Sequence, residues 1–294
     1  MGALWAEVPA CRWVAEEASD AININMLNLM AESTPEVLTQ TQNAQPALLV
    51  VGLMAARYLA HATGKPLSEI SQMLAGHSLG EYTAVAAAGG LGVGVAAQVV
   101  RVRGESMAKA TGGAMAAVLG LEVPALETAL EACPGVVIAN DNSPGQVVIS
   151  GPAEALQAAE PVLKQAGAKR LVPLAVSGAF HTPAMEPAAQ AVALFLAAHP
   201  VQGLAVPVVA NATAQPAQRA AEVQANLVAQ VTGRVRWRES MNYAAAHGIT
   251  QVVELGVGKV LSGLATRCHA GWQAVSLTSP AEADAWLNTL HTQR

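Results

Sequence analysis

Ser78 stands in Gly76-His77-Ser78-Leu79-Gly80, a G-x-S-x-G pentapeptide. Met73-Leu74-Ala75 ahead of it reads as a short apolar strand, and residues 81–88 behind it read as the first turns of a helix. Strand, G-x-S-x-G and helix together are the setting in which this pentapeptide forms a nucleophile elbow. The turn is tight, and a Cβ at either glycine is expected to collide with the neighbouring strand or helix. The serine then projects from the carboxyl edge of a sheet, with a helix N-terminus behind it to stabilise a developing oxyanion. The plainer reading of the same residues is a Gly-rich βα turn with an incidental serine.

A serine nucleophile needs a base. Hydrolases with this elbow place their histidine late in the chain, after an acidic partner. The late histidines here are His247, His269 and His291, in a loop or in or after the last helices, and each reads as a surface residue. His181 instead follows the turn-rich Ser177-Gly178-Ala179-Phe180 and opens a helix. On spacing alone it is either the base or a structural histidine. Arg101 and Arg103 lie on a helix expected over residues 95–110, and an arginine pair there reads by itself as a solvated face.

The elements that must position these groups come from a chain of 294 residues with net charge -5. Only 13% of it is charged, so no basic surface points to nucleic acid. Three cysteines, Cys11, Cys133 and Cys268, lie far apart without C-x-x-C spacing, which supports neither a disulfide framework nor a zinc site. The seven histidines show no H-x-x-x-H or H-E-x-x-H pairing, so no metal mechanism is expected. Glu7, Glu16 and Glu17 near the start argue against a signal peptide. Residues 83–100 are mostly Ala, Gly and Val, and 188–210 are broken by Gln190, His199, Pro200 and Gln202, so neither reads as a membrane span. A soluble, cytoplasmic protein is the expectation.

Helices are expected over residues 4–20, 24–30 and 45–60, with Ser33-Thr34-Pro35-Glu36 as a helix start. The pattern then changes: strand 113–120, helix 123–133, strand 135–139, turn 140–145, strand 146–150, helix 152–166, strand 170–176. That βαββαβ order is the ferredoxin-like split pattern. Afterwards come helix 184–198, strand 206–211, helix 223–229, an irregular stretch 231–237, helix 239–246, strand 248–256 and a helix from 259. The expected fold is α/β: a large part with a parallel sheet, residues 1–111 and 178–294, and an inserted ferredoxin-like small domain, residues 112–177.

Gly76-His77-Ser78-Leu79-Gly80-Glu81-Tyr82 resembles the active-site signature of the malonyl-CoA:acyl carrier protein transacylases of fatty acid synthesis, shared with polyketide-synthase acyltransferase domains. The match continues in order through Arg103-Gly104, Gly113-Ala114-Met115-Ala116-Ala117 and Asn142-Ser143-Pro144-Gly145-Gln146-Val147-Val148. It runs on through Ala179-Phe180-His181 and residues 230–237, and closes at Glu254-Leu255-Gly256-Val257-Gly258-Lys259-Val260-Leu261, so it covers nearly the whole chain. The family's fold, α/β-hydrolase-like with a ferredoxin-like small domain, agrees with the pattern above.

The resemblance implies that Ser78 accepts the acyl group and that His181 is its general base and later its acid. It implies a dyad whose histidine is oriented by the backbone carbonyl of Gln230, with no acidic third member. Arg103 matches the arginine that pairs with the malonyl carboxylate, a role suited to a planar guanidinium that can form two parallel hydrogen bonds. The backbone N–H of Leu79 would supply an oxyanion donor, Phe180 matches the malonyl-type version of its segment, and His77 and Asn142 would line the site. No cofactor is implied, coenzyme A and phosphopantetheine entering as parts of substrates, and the partners implied are malonyl-CoA and acyl carrier protein. One departure stands out. Family members begin with a strand and a Gly-Gln-Gly-x-Gln loop that supplies a second oxyanion donor, whereas Gly2-Ala3-Leu4-Trp5 aligns just after that loop. The expectation drawn from this is a poorly stable and weakly active chain.

The expected activity is malonyl transfer from malonyl-CoA to the phosphopantetheine thiol of acyl carrier protein through a malonyl-serine. The rivals are a stand-alone polyketide acyltransferase, a hydrolase that clears acyl carriers, and an inactive carrier-binding module. Arg103 speaks against the hydrolase, because a positive charge is wasted on an uncharged acyl group.

Overall fold

A computed structural model describes residues 2–176 and 178–292, the side chains of 291 and 292 excepted. The expected domain boundary at Ser177 and the side chain of His291 lie outside the described residues.

The helix Thr41–Thr63 runs through the main core, with Leu49, Val50, Val51 and Met54 fully buried. It is long and apolar enough to cross a membrane, which neither of the stretches weighed from the sequence is, and most of its apolar window is buried against the rest of the chain. Helices Pro9–Ile22 and Val93–Ala108 pack on it, and Glu186–Ala198 packs on the latter. Residues 4–20 form two helices rather than one, Ala3–Ala6 and Pro9–Ile22. Pro9 sits at the first position of the second, where its missing N–H needs no partner. The start expected at residues 33–36 is present, with Thr34 Oγ1 accepting from the Val37 N–H.

The elbow strand is β1, Leu74–Ala75. It pairs in parallel with β6, Val208–Val209, which pairs antiparallel with β7, Pro216–Ala217. A separate parallel pair is formed by β8, Gln251–Leu255, and β9, Gln273–Leu277. The single parallel sheet expected for the large part is therefore two short sheets, one of them mixed. β1 is short because the elbow begins at Gly76, and β6 stops at Val209, two residues before Asn211 binds the elbow.

Residues 113–173 build a four-stranded antiparallel sheet from β2 (Gly113–Leu119), β3 (Val137–Ser143), β4 (Gln146–Pro152) and β5 (Arg170–Pro173). Its order is β3-β4-β2-β5, and helices Val123–Leu130 and Ala153–Gln165 complete a βαββαβ succession. Val118, Leu126, Ile149 and Leu163 form its apolar interior. One expectation is corrected here. Residues 140–143 are strand rather than turn, and the chain reverses only across Pro144-Gly145, where Gly145 has φ 67°. A bond from outside the sheet explains the extension: the Asp141 N–H donates to the Val235 carbonyl, and the Val235 N–H to that of Ala139.

The return from this sheet passes close to its first strand. A Cβ on Gly113 would lie 2.2 Å from the Ala179 nitrogen, so glycine there lets the segment bearing His181 lie against the start of β2.

Candidate active site

Ser78 holds φ 51° and ψ -106°, a conformation rare for any residue with a side chain. Such backbone costs about 1–3 kcal/mol and persists only where the surroundings over-determine it. A Cβ on Gly76 would come within 1.9 Å of the Gly80 backbone, so the first glycine is obligatory. At Gly80 a Cβ would meet nothing within 4 Å, and the expected collision at the second glycine is absent. The turn is clamped by Asn211, whose Oδ1 accepts from the Ser78 N–H at 2.6 Å and whose Nδ2 donates to the Gly76 carbonyl at 2.7 Å. Asn211 escaped the sequence reading; its only signal was its place at the end of an expected strand.

Ser78 Oγ lies 2.8 Å from Nε2 of His181, which also has positive φ, 58°. His181 Nδ1 lies 2.9 Å from the Gln230 carbonyl and 3.1 Å from that of Gly233. Two acceptors on that side place the ring proton on Nδ1 and leave Nε2 to accept the serine proton. Burial, then the charge of Arg103 and the neighbouring His77, push the His181 pKa down to about 3, against the pull of the two carbonyls. The imidazole is neutral and proton-free on the serine side. His181 does not itself open a helix: a 3₁₀ turn, Pro183–Met185, intervenes before Glu186–Ala198.

Arg103 is 1% exposed, so the solvated-face reading fails for it. The close packing of the helices explains this: Gly104 lets Val93–Ala108 approach the Gln42 backbone, whose Cα is 2.8 Å from where a Cβ would sit. Nη1 donates to Gln45 Oε1 at 2.8 Å, and Nη2 to Ser78 Oγ and Gln230 Oε1 at 3.0 Å each. The guanidinium also lies 5.4 Å from the Tyr82 ring centre. Every hydrogen-bond acceptor is neutral, Nε has none, and no ion pair reaches Arg103 among the described residues. Arg101, by contrast, pairs with Glu105 at the surface.

Leu79 is the first residue of the helix Leu79–Ala87, so its N–H is one of the donors a helix leaves unpaired. His77 Nε2 and Asn142 Oδ1 are 2.8 Å apart, and burial lowers the His77 pKa. Phe180 packs between the main core and the cluster of Met115, Ala117, Ala139 and Val148, rather than bonding to the Ser78–His181 pair. His247 is tied to its own helix through the Tyr243 carbonyl, and the His269 ring lies 4.7 Å from that of Trp272 at a tilt of 33°. The sequence reading also missed Glu81, a buried acid bonded to Asn211 and Gln230. No group of three or more His, Cys, Asp or Glu that could hold a metal occurs among the described residues.

Residues 6–267 match the family model described as acyl transferase domain. The chain is 37% identical over 294 residues to the malonyl CoA-acyl carrier protein transacylase of Bacillus subtilis, covering 98% of this chain and 91% of that protein. It superposes on the crystal structure of an acyl-carrier-protein-S-malonyltransferase from Bartonella henselae with TM-score 0.94 at 39% identity, over 99% of this chain and 95% of that one. A malonyl-transacylase solved in complex with its type II polyketide acyl-carrier protein gives TM-score 0.93 at 34% identity, over 98% and 94% of the two chains.

Proposed function

This chain belongs to the acyl transferase domain family, and we infer that it moves malonyl from malonyl-CoA to the phosphopantetheine thiol of acyl carrier protein, in the service of fatty acid synthesis. The observation that carries the reading is the buried guanidinium of Arg103 with neutral acceptors only. A buried charge without a counter-ion is costly. The buried acid Glu81 does not bond to it and is pushed up to about 8 by burial, so an acyl group bearing its own carboxylate would supply a charge and a bidentate partner beside Ser78.

Ser78 is the nucleophile and His181 the base. As Oγ attacks the thioester carbonyl, Nε2 takes its proton and the Nδ1–H stays on the carbonyls of Gln230 and Gly233. The Leu79 N–H and the helix start behind it face the oxyanion. The C–S bond breaks, the proton passes to the coenzyme A sulfur, and a malonyl-serine ester remains. The carrier thiol then gives its proton to Nε2 and attacks the ester, and Ser78 leaves with that proton. Arg103 is among the causes that hold the His181 pKa low, so pairing the guanidinium with a carboxylate strengthens the base as malonyl enters. His77, Asn142 and Phe180 complete the walls. The chemistry uses no metal or redox cofactor, in the cytoplasm, and residues 112–177 act as a small domain over the large one.

Intact-mass analysis after mixing with malonyl-CoA tests this. A malonyl adduct is expected on the protein and none on Ser78→Ala; an adduct that survives the substitution would remove Ser78 from its role.

A further inference from the structure

Glu81 lies on the first turn of the helix Leu79–Ala87 and is 1% exposed, yet the reaction above uses neither its charge nor its proton. An acid in a first turn interacts favourably with the helix dipole, and that role needs no hydrogen-bond partner beyond the helix. Glu81 instead points inward, where one oxygen does two things. Its Oε2 accepts from the Asn211 N–H at 3.0 Å and from Gln230 Nε2 at 3.2 Å.

Those two residues both hold the elbow. Asn211 holds the Ser78 N–H and the Gly76 carbonyl, while Gln230 Nε2 holds the Ser78 carbonyl at 2.8 Å. Gln230 also orients the base through its backbone oxygen and receives Arg103 Nη2 on its side-chain oxygen. The two ends of an amide have the same shape and opposite hydrogen bonding. A turned-over Gln230 would aim its NH2 at the guanidinium, donor against donor, and its oxygen at the Ser78 carbonyl. The Glu81 acceptor, beside that carbonyl, favours the observed orientation, in which the Gln230 amide, Arg103 Nη2 and the Ser78 carbonyl all have partners.

We propose that Glu81 is a positioning residue for the acyl transfer: its carboxyl fixes the Gln230 amide and the Asn211 backbone, and through them the strained Ser78 backbone and the seat of Arg103. The proposal rests on the function inferred above. Its test therefore includes a reagent that needs no malonyl chemistry, a fluorophosphonate that labels an activated serine. Wild type labelled at Ser78 but never malonylated would fail the functional reading alone.

Glu81→Leu, Glu81→Gln and Gln230→Met are compared for labelling rate, for the ratio of malonyl to acetyl adduct formed from the two thioesters, and for cooperative melting. Misplacing a reacting group by about 1 Å can cost about a hundredfold, and a smaller displacement correspondingly less, about tenfold. A loss of that size in labelling is expected for Glu81→Leu, with a fall in the malonyl-to-acetyl ratio. Glu81→Gln keeps an acceptor oxygen at that place and is expected to recover most of both. Gln230→Met keeps the backbone carbonyl for His181 but loses the amide, so adding Glu81→Leu to it should lower the ratio little further. Wild-type labelling and ratio in folded Glu81→Leu would overturn the proposal, and so would losses from Glu81→Leu and Gln230→Met that simply multiply. Should Glu81→Leu fail to fold, Glu81→Gln and Gln230→Met decide: an unchanged ratio in Gln230→Met, or a Glu81→Gln protein that folds but is as slow as one lacking the amide, overturns it.

Discussion

Two regions of the molecule bury a charged side chain completely, and they treat it in opposite ways. At the edge of the four-stranded sheet, Asp141 is 0% exposed and meets Arg238 in three hydrogen bonds of 2.9–3.1 Å. In the elbow region Arg103 is as deeply buried and meets only amide and hydroxyl oxygens and a ring face. The backbones differ likewise. The sheet is a regular antiparallel ladder apart from two register shifts in β3, whereas Ser78 and His181 both hold positive φ. A charge closed off by its partner serves the fold. A charge left open, beside strained backbone and a neutral histidine, is the arrangement that the proposed function calls for.

The largest break of this contrast comes at the base. His181→Ala should slow acylation by about a hundredfold or more, the scale of losing a positioned general base, with the fold retained. Single-turnover kinetics would read it, and an equal loss at His247→Ala would move the base elsewhere. A smaller effect is expected in the other region. Asp141→Asn keeps the shape but strips the Arg238 pair of its charge, which should cost about 1–3 kcal/mol of stability, moderated because Arg238 is 24% exposed and can hydrate. Chemical denaturation would show that loss while the malonyl-to-acetyl ratio stays put; a changed ratio would mean the two regions are not separate in function.

The smallest effect is a shift with pH. The folded His181 value, about 3, lies below the ordinary histidine value of about 6.5, so the neutral base persists as pH falls through that range. The acid limb of kcat/KM should therefore lie below pH 6.5. Stability linked to His181 is whole above about pH 6.5 and is lost as pH falls toward 3, because the unfolded chain takes up the proton first. Arg103→Ala removes one cause of the depression, so the acid limb should move up; a limb that moves down would show that the guanidinium does not act on the ring.

The elbow was legible from the sequence because its parts are contiguous: a strand, Gly76, Ser78 and a helix start follow one another. His181 and Arg103 needed the resemblance, since nothing in their neighbours tells a buried arginine from a surface one. Asn211 and the Glu81–Gln230 bond were not legible. They join residues 133 and 149 positions apart: Asn211 follows β6, which pairs with β1 ahead of the elbow, and Gln230 comes from the helix Ala220–Thr232. Asn140-Asp141-Asn142-Ser143 has the composition of a turn, and it stays in the ladder because Val235 bonds it from outside.

The central claim is that Arg103 is left unpaired for the carboxylate of the incoming acyl group. Its most direct test is the rate of adduct formation at Ser78 from malonyl-CoA and from acetyl-CoA, in wild type and in Arg103→Ala. Losing a desolvated, charge-assisted pair should cost malonyl transfer about 2–5 kcal/mol and acetyl transfer far less, reversing or erasing the preference. Equal losses for the two thioesters would contradict the claim and make the guanidinium a part of the fold.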